Sequence, residues 1–285
     1  MDYRQFPRGR MLEGAQYIEI VNENIERGHI RFALFDFDGT ISLIREGWQE
    51  VMIPMMVDIL ADLNSGETRE ELEEVVLEFV TRLTGKQTIY QMMEFAENVT
   101  KRGGQAKEPV DYKWDYLQLL WERIKDRVEG LKEGRYTREE MAVPGALEMV
   151  EYLHGRGITL YLASGTDRPY VLDESESLGM HPYFGENIFG AIDDYKNYSK
   201  AMIIEKIIAD HKLKGSEFSG FGDGFVEIEE TKKVGGIAVG LAVDEKNRQG
   251  IDEWKRNRLI EYGADIIVPD FREYKRLFAY LFAED

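Results

Sequence analysis

The 285-residue chain is predicted to fold as a doubly wound α/β protein, a mostly parallel sheet with helices on both faces, carrying an inserted all-helical domain. Three observations point there. An apolar run over Ile30 and Phe32–Phe35 has the composition of a strand buried on both faces. From Pro144 onward, short apolar runs alternate with helical patterns, the signature of βαβ units. Between these regions, from about residue 43 to residue 143, only helical periodicity occurs.

Taken in order, residues 1–29 form an N-terminal extension in which Ile18, Val21 and Ile25 stand at helical spacing before Gly28; its expected role is to pack on the core as an extra edge. Residues 30–43 hold the first core strand. Residues 44–143 are assigned to the inserted helical domain, with four apolar stripes. The first runs from Trp48 to Leu63 and contains Pro54, which should kink or divide it. The second runs from Leu72 to Leu83, opened near Thr68 and closed by Gly85. The third covers Met92 to Val99, and the longer fourth Tyr116 to Leu131. Residues 144–285 return to the α/β core, with strands expected at Ile158–Ala163, Ile188–Ile192, Phe218–Asp223, Gly236–Val243 and Ala264–Val268, and a last helix from about Phe271.

The first strand ends in Asp36-Phe37-Asp38-Gly39-Thr40. Buried acids cost several kcal/mol unless compensated, so two of them at the mouth of an apolar strand call for an explanation. If extended geometry loosens after Asp36, the two carboxylates diverge, and one can attack while the other moves protons. The competing reading is an ordinary Asp-Gly turn. Three further pieces suit such a site. Ser164-Gly165-Thr166 offers a hydroxyl and a glycine amide to a phosphate oxygen, although Ser-Gly is also a common turn. Lys200 begins an amphipathic helix where its charge and the helix N-terminus both favour an anion; Lys196 is its nearby competitor. Asp223 and Glu227 supply hard oxygen ligands, so that Asp36, Asp223 and a phosphoryl oxygen, with the Asp38 carbonyl, compose a shell for Mg²⁺. Glu227 is equally favourable as a helix-N-terminal acid without any metal.

With these four pieces in this order, the chain resembles the haloacid-dehalogenase-superfamily phosphohydrolases. The resemblance covers roughly residues 30–42 and 144–270 and implies a Rossmann-like core with a helical cap of the C1 class. It implies Asp36 as nucleophile and Asp38 as general acid/base, Ser164, Gly165 and Lys200 at the phosphate, and Asp36, Asp38, Asp223 and Glu227 at a Mg²⁺. It also places the Asp36 and Asp223 strands side by side. The implied activity is Mg²⁺-dependent hydrolysis of a small phosphate monoester, through an aspartyl-phosphate on Asp36. A phosphomutase would use the same aspartates, and a non-catalytic metabolite-binding module would not need them intact. Asp38 argues against a phosphonate hydrolase of this fold.

Specificity is expected to come from the cap. Lys86, in Thr84-Gly85-Lys86-Gln87-Thr88 between two cap helices, is the candidate substrate contact, against the reading of a solvated lysine at a glycine helix stop. Met52, Met55, Met56, Met92 and Met93 line an adaptable pocket or pack the cap core. The four histidines show no metal-ligand spacing.

Composition bounds the partners. With 54 acidic residues against 36 Lys and Arg, the formal charge is -18, which argues against nucleic acid and anionic membranes and leaves a small phosphorylated metabolite, drawn in by local cations. The absence of cysteine excludes disulfides and thiol catalysis. The first residues lack a signal-peptide core, and no apolar run reaches membrane-spanning length, so a cytoplasmic location is expected. Composition does not set an oligomeric state.

Overall fold

The computed structural model describes residues 4–192 and 194–284. Among them, one eight-stranded sheet runs in the order β1-β2-β8-β7-β6-β3-β4-β5. Its strands are β1 (Arg10–Met11), β2 (Glu19–Ile20), β3 (Phe32–Phe35), β4 (Thr159–Asp167), β5 (Ile188–Ala191), β6 (Phe218–Gly222), β7 (Ile237–Leu241) and β8 (Ile266–Val268). All pairings from β3 through β8 are parallel, while β1 and β2 add an antiparallel ribbon to the β8 edge.

The helices are α1 (Gln49–Ala61), α2 (Arg69–Leu83), α3 (Thr88–Lys101), α4 (Pro109–Lys132) and α5 (Arg138–Met141), all between β3 and β4. They are followed by α6 (Ala146–Gly155), α7 (Arg168–Ser177), α8 (His181–Phe184), α9 (Lys200–His211), α10 (Phe225–Lys233), α11 (Glu253–Glu261) and α12 (Tyr274–Leu281). No helix among the described residues is long and apolar enough to cross a membrane.

β3 holds the centre because every one of its side chains is apolar and buried. Ala33 and Phe35 face one hydrophobic cluster, Phe32 and Leu34 another, as the two-residue period of a strand requires. Phe35 stacks on Phe221 of β6, ring centroids 4.6 Å apart, locking the register Phe35↔Phe221. The chain winds outward from β3 to β4 and β5, then crosses back to β6, β7 and β8. A crevice therefore opens at the carboxyl ends of β3 and β6, where strand order reverses. Asp36 and Asp223 lie there together, as expected.

Four details depart from the expectations. Residues 18–25 form no helix: Ile18 and Ile20 are buried two apart, and Glu19–Ile20 pairs with Ile266 and Ile267 of β8. The extension does pack as an extra edge. Pro54 does not divide its helix, since α1 runs unbroken through it. As the sixth residue, Pro54 lies in the second turn and forfeits only the bond to the Glu50 carbonyl, and the buried Met52, Met55, Met56 and Val57 hold the helix against its neighbours. β4 does not stop at Ala163 but continues to Asp167 through a shift in register. Helix α11, in a segment where no element is legible, completes the fold.

Candidate active site

Asp36 follows the last residue of β3 and still belongs to the sheet, its amide donating to the Phe221 carbonyl at 2.9 Å. Its carboxylate is buried beside the ammonium of Lys200, the first residue of α9. Oδ1 accepts the Phe37 amide at 2.7 Å and lies 2.9 Å from Lys200 Nζ. The same ammonium donates to Glu227 Oε2 at 2.9 Å, while Glu227 Oε1 accepts the Gly224 amide and caps α10. Glu227 is thus at once the helix-terminal acid and a member of the cluster. Lys200 is buried, whereas Lys196 is exposed with its ammonium over its neighbour Tyr195.

Past Asp36 the chain turns, and Asp38 points elsewhere. Ser164 Oγ and Thr166 Oγ1 donate to its Oδ2 at 3.1 and 2.8 Å. Oδ1 is buried without a hydrogen bond, 3.8 Å from Arg45 Nε. The two motif carboxylates are therefore held apart by different partners, a condition for separate roles. Gly39 completes the turn at φ +74°, and a Cβ there would lie 2.4 Å from Asp223 Oδ2. Only glycine lets the β3 loop approach the β6 loop this closely. Thr40 Oγ1 accepts the Asp223 amide at 3.1 Å and fastens the two loops together.

Asp36, Asp223 and Glu227 each present an oxygen within 4.8 Å of the others. Burial pushes the Asp36 carboxyl well above its ordinary range; Lys200 pulls it back, and the carboxylates of Glu227 and Asp223 push it up again. Two ammoniums, Lys200 on Asp36 and Glu227 and Lys255 on Asp223 and Glu245, face four carboxylates here, and the converging oxygens of Asp36, Asp223 and Glu227 form a donor set that fits a hard divalent cation. The Asp38 carboxylate is not part of this cluster. It is turned toward Ser164 and Thr166, so any share it takes in metal binding falls to its backbone carbonyl.

The helical insertion leaves and re-enters the core through adjacent strands of chain, joined by an antiparallel bridge between Ser42 and Ala142. It lies over the site and, together with the core, lines a half-open cavity of about 100 Å³. Asp36, Asp38, Lys200 and Asp223 line its floor; Trp48, Met52, Tyr116, Leu117 and Leu120 give the roof an apolar patch. Of the five methionines considered, Met52 reaches the cavity, and Met55, Met56 and Met92 are buried in the core cluster. Lys86 lies on the cavity wall with an exposed side chain, and its carbonyl oxygen would stand 2.8 Å from a Cβ at Gly165. The cap loop thus rests directly on β4 at Gly165.

Several residues around the site were not singled out from the sequence. Thr166 shares Asp38 with Ser164. Arg45 forms a buried forked pair with Glu174 of α7, with Nη2 2.6 Å from Oε1. Lys255 of α11 donates to Asp223 Oδ2 at 2.8 Å and Glu245 Oε1 at 2.7 Å. Burial disfavours its charged form, but these two carboxylates outweigh that and hold its pKa above the usual lysine range. Lys113 of α4 reaches Asp167 at 2.7 Å. The forward signal for Thr166 was its place in the Ser-Gly-Thr run; the ion pairs have none, because their partners lie far apart in sequence.

A buried acidic cluster at the switch point of a parallel sheet, roofed by a helical insertion, is the arrangement of a capped α/β hydrolase. The chain belongs to the haloacid dehalogenase-like hydrolases, whose family profile matches residues 30–235, and it is an enzyme of that hydrolase group. No curated protein matches it by sequence. Among solved structures it is similar to a predicted phosphoglycolate phosphatase from Haemophilus somnus, at 14% identity and TM-score 0.56 over 87% of this chain and 98% of that one. A β-phosphoglucomutase from Clostridium difficile is similar at 15% identity and TM-score 0.57, covering 90% and 98%. A HAD family hydrolase from Deinococcus radiodurans, solved with bound phosphate and sodium, is similar at 16% identity and TM-score 0.52, covering 89% and 97%. At these identities the likeness is one of fold.

Proposed function

We propose that the chain is a Mg²⁺-dependent phosphatase of the cytoplasm that hydrolyses a small phosphate monoester in two steps. The observation that carries this reading is the divergence of the two motif aspartates. Asp36 is pinned beside Lys200 and the metal-ready acids, while Asp38 is turned to Ser164 and Thr166 with one oxygen unpartnered. In the first step an Asp36 carboxylate oxygen attacks phosphorus and the ester P–O bond breaks. Asp38, protonated, gives its proton to the departing alkoxide. In the second step Asp38 takes a proton from water as its oxygen attacks the phosphoryl group. The Asp36–phosphorus bond breaks, releasing inorganic phosphate and restoring Asp36. Lys200 holds the Asp36 carboxylate and offers positive charge to the phosphoryl oxygens, and Ser164 and the Gly165 amide border the same space. A Mg²⁺ held by Asp36, Asp223 and Glu227 would offset the negative charge that phosphate brings into an acidic site.

Intact mass spectrometry after mixing with a reactive aryl phosphate tests the assignment. Asp38→Asn is expected to accumulate an adduct of one phosphoryl group, and Asp36→Asn none. An adduct on Asp36→Asn with normal turnover overturns the roles. Activity that survives chelation and dialysis overturns the metal.

The β-phosphoglucomutase likeness raises transfer back to a bound sugar phosphate as the second reading. The motif residues serve both fates. Release of inorganic phosphate without activation by a bisphosphate marks the hydrolase.

A further inference from the structure

Lys255 has no place in the two-step scheme, yet it is among the most tightly held cations of the molecule. It sits in the first turn of α11, its amide donating to the Asp252 cap at 2.9 Å. Its ammonium bridges Asp223 Oδ2 and Glu245 Oε1, with the lysine side chain only 15% exposed. Asp223 is further fixed by the Thr40 hydroxyl on its amide and by the Gly39 backbone packed against the same Oδ2. One oxygen of this carboxylate is therefore engaged, which restrains the group from presenting both to one ion.

That restraint bears on the kind of cation the cluster accepts. Mg²⁺ takes one oxygen from each carboxylate at about 2.1 Å in a strict octahedron, whereas Ca²⁺ takes 6–8 oxygens at roughly 2.3–2.6 Å and often draws both from one carboxylate. Partners behind the ligands set this orientation, and their loss commonly changes metal affinity by about 10–100-fold. We propose that Lys255, braced by Glu245, is a positioning residue that limits Asp223 to one-oxygen ligation and so selects an ion of Mg²⁺ size over one of Ca²⁺ size. The proposal rests on the reading of Asp36, Asp223 and Glu227 as a metal site.

Calorimetric titration of the full, metal-free chain with MgCl₂ and with CaCl₂ tests it without recourse to activity. Wild type is expected to bind Mg²⁺ more tightly than Ca²⁺. In Lys255→Met/Glu245→Gln, which removes the ammonium and its second counter-charge together, the Ca²⁺-to-Mg²⁺ affinity ratio is expected to rise tenfold or more. A melting curve accompanies the variant. An unchanged ratio in the folded variant overturns the proposal. So does a wild type that binds Ca²⁺ at least as tightly as Mg²⁺, a result that needs no variant. Binding of neither ion by wild type would instead remove the metal site, and with it the metal-dependent reading above.

Discussion

At the scale of single residues, the site keeps charge where water cannot screen it, and Asp36 bears the consequence. Its folded pKa is raised, first by burial and then by Glu227 and Asp223 against the pull of Lys200. A raised carboxyl pKa means that the native state binds the proton more tightly than the unfolded chain does. Stability from this group is therefore present at low pH and lost as pH rises from the unfolded value, ~3.9, through the folded one. In chelator, wild type is expected to lose melting temperature relative to Asp36→Asn over that rise, and Mg²⁺ should restore it at neutral pH. Parallel curves for the two proteins in chelator would show that Asp36 is not under this load. Thr166 invites a second measurement. It shares Asp38 Oδ2 with Ser164, so Thr166→Val removes one of two hydrogen bonds, each worth about 1.5–3 kcal/mol to a charged acceptor. A kcat loss of roughly ten- to hundredfold is expected on esters with poor leaving groups, and much less on aryl phosphates. Equal losses on both would place Thr166 outside proton transfer.

At the scale of elements, what could be read from sequence depended on whether the information lay close together in the chain. β3 was legible as a continuous apolar run ending in acids, β6 from Phe218 and Phe221 just ahead of Asp223, and the four pieces of the site fell on strand ends or a helix start. The ribbon of β1 and β2 was not, because two-residue strands carry no period and Ile18, Val21 and Ile25 imitate a helix. Helix α11 is the clearest case. Its Lys255-Arg256-Asn257-Arg258 reads as a solvated face, yet Arg256, Asn257 and Arg258 are all buried. Each is satisfied from afar. Arg256 forks onto Glu19 at 2.6 and 2.7 Å, Asn257 accepts the Phe6 amide, and Arg258 donates to the Arg82 and Thr84 carbonyls of the cap. One nine-residue helix thus ties together the extension, Asp223 and the cap loop. Glu19 and Arg256 are 0% and 1% exposed, so removing one strands the other. Glu19→Ala is expected to cost about 3–5 kcal/mol, whereas Glu19→Leu/Arg256→Met should recover most of that loss. Melting curves of the single and double variants check it; equal losses would mean that packing, not charge, holds the ribbon.

At the scale of the whole molecule, the cap lies over the site, and the ties that hold it there can be named. Lys113 of α4 meets Asp167 at the end of β4, with side chains 6% and 13% exposed. Gln87 donates to the Tyr198 carbonyl at 2.7 Å and the Tyr195 carbonyl at 3.2 Å, and Arg258 reaches the loop after α2. Lifting the cap to exchange an ester for its products would break these contacts. The chain crosses between core and cap only near Ser42 and Ala142, which permits movement of α1 to α4 as a body about those crossings. Lys113→Met removes a buried ion pair between cap and core and leaves Asp167 unpaired at the cavity wall. Opening should then become easier by about 3 kcal/mol, or roughly a hundredfold in the open population. Amide exchange offers a direct view. In Lys113→Met, exchange is expected to accelerate in residues 84–91 and along α4, while β3, β6 and α10 keep their wild-type protection. Because closure excludes water from the Asp36 site, hydrolysis of a slow ester should fall in the same variant, with kcat reduced more than binding of inorganic phosphate. Uniform acceleration across sheet and cap would mark a general loss of stability instead, and unchanged exchange would leave Lys113–Asp167 as a contact that does not govern the lid.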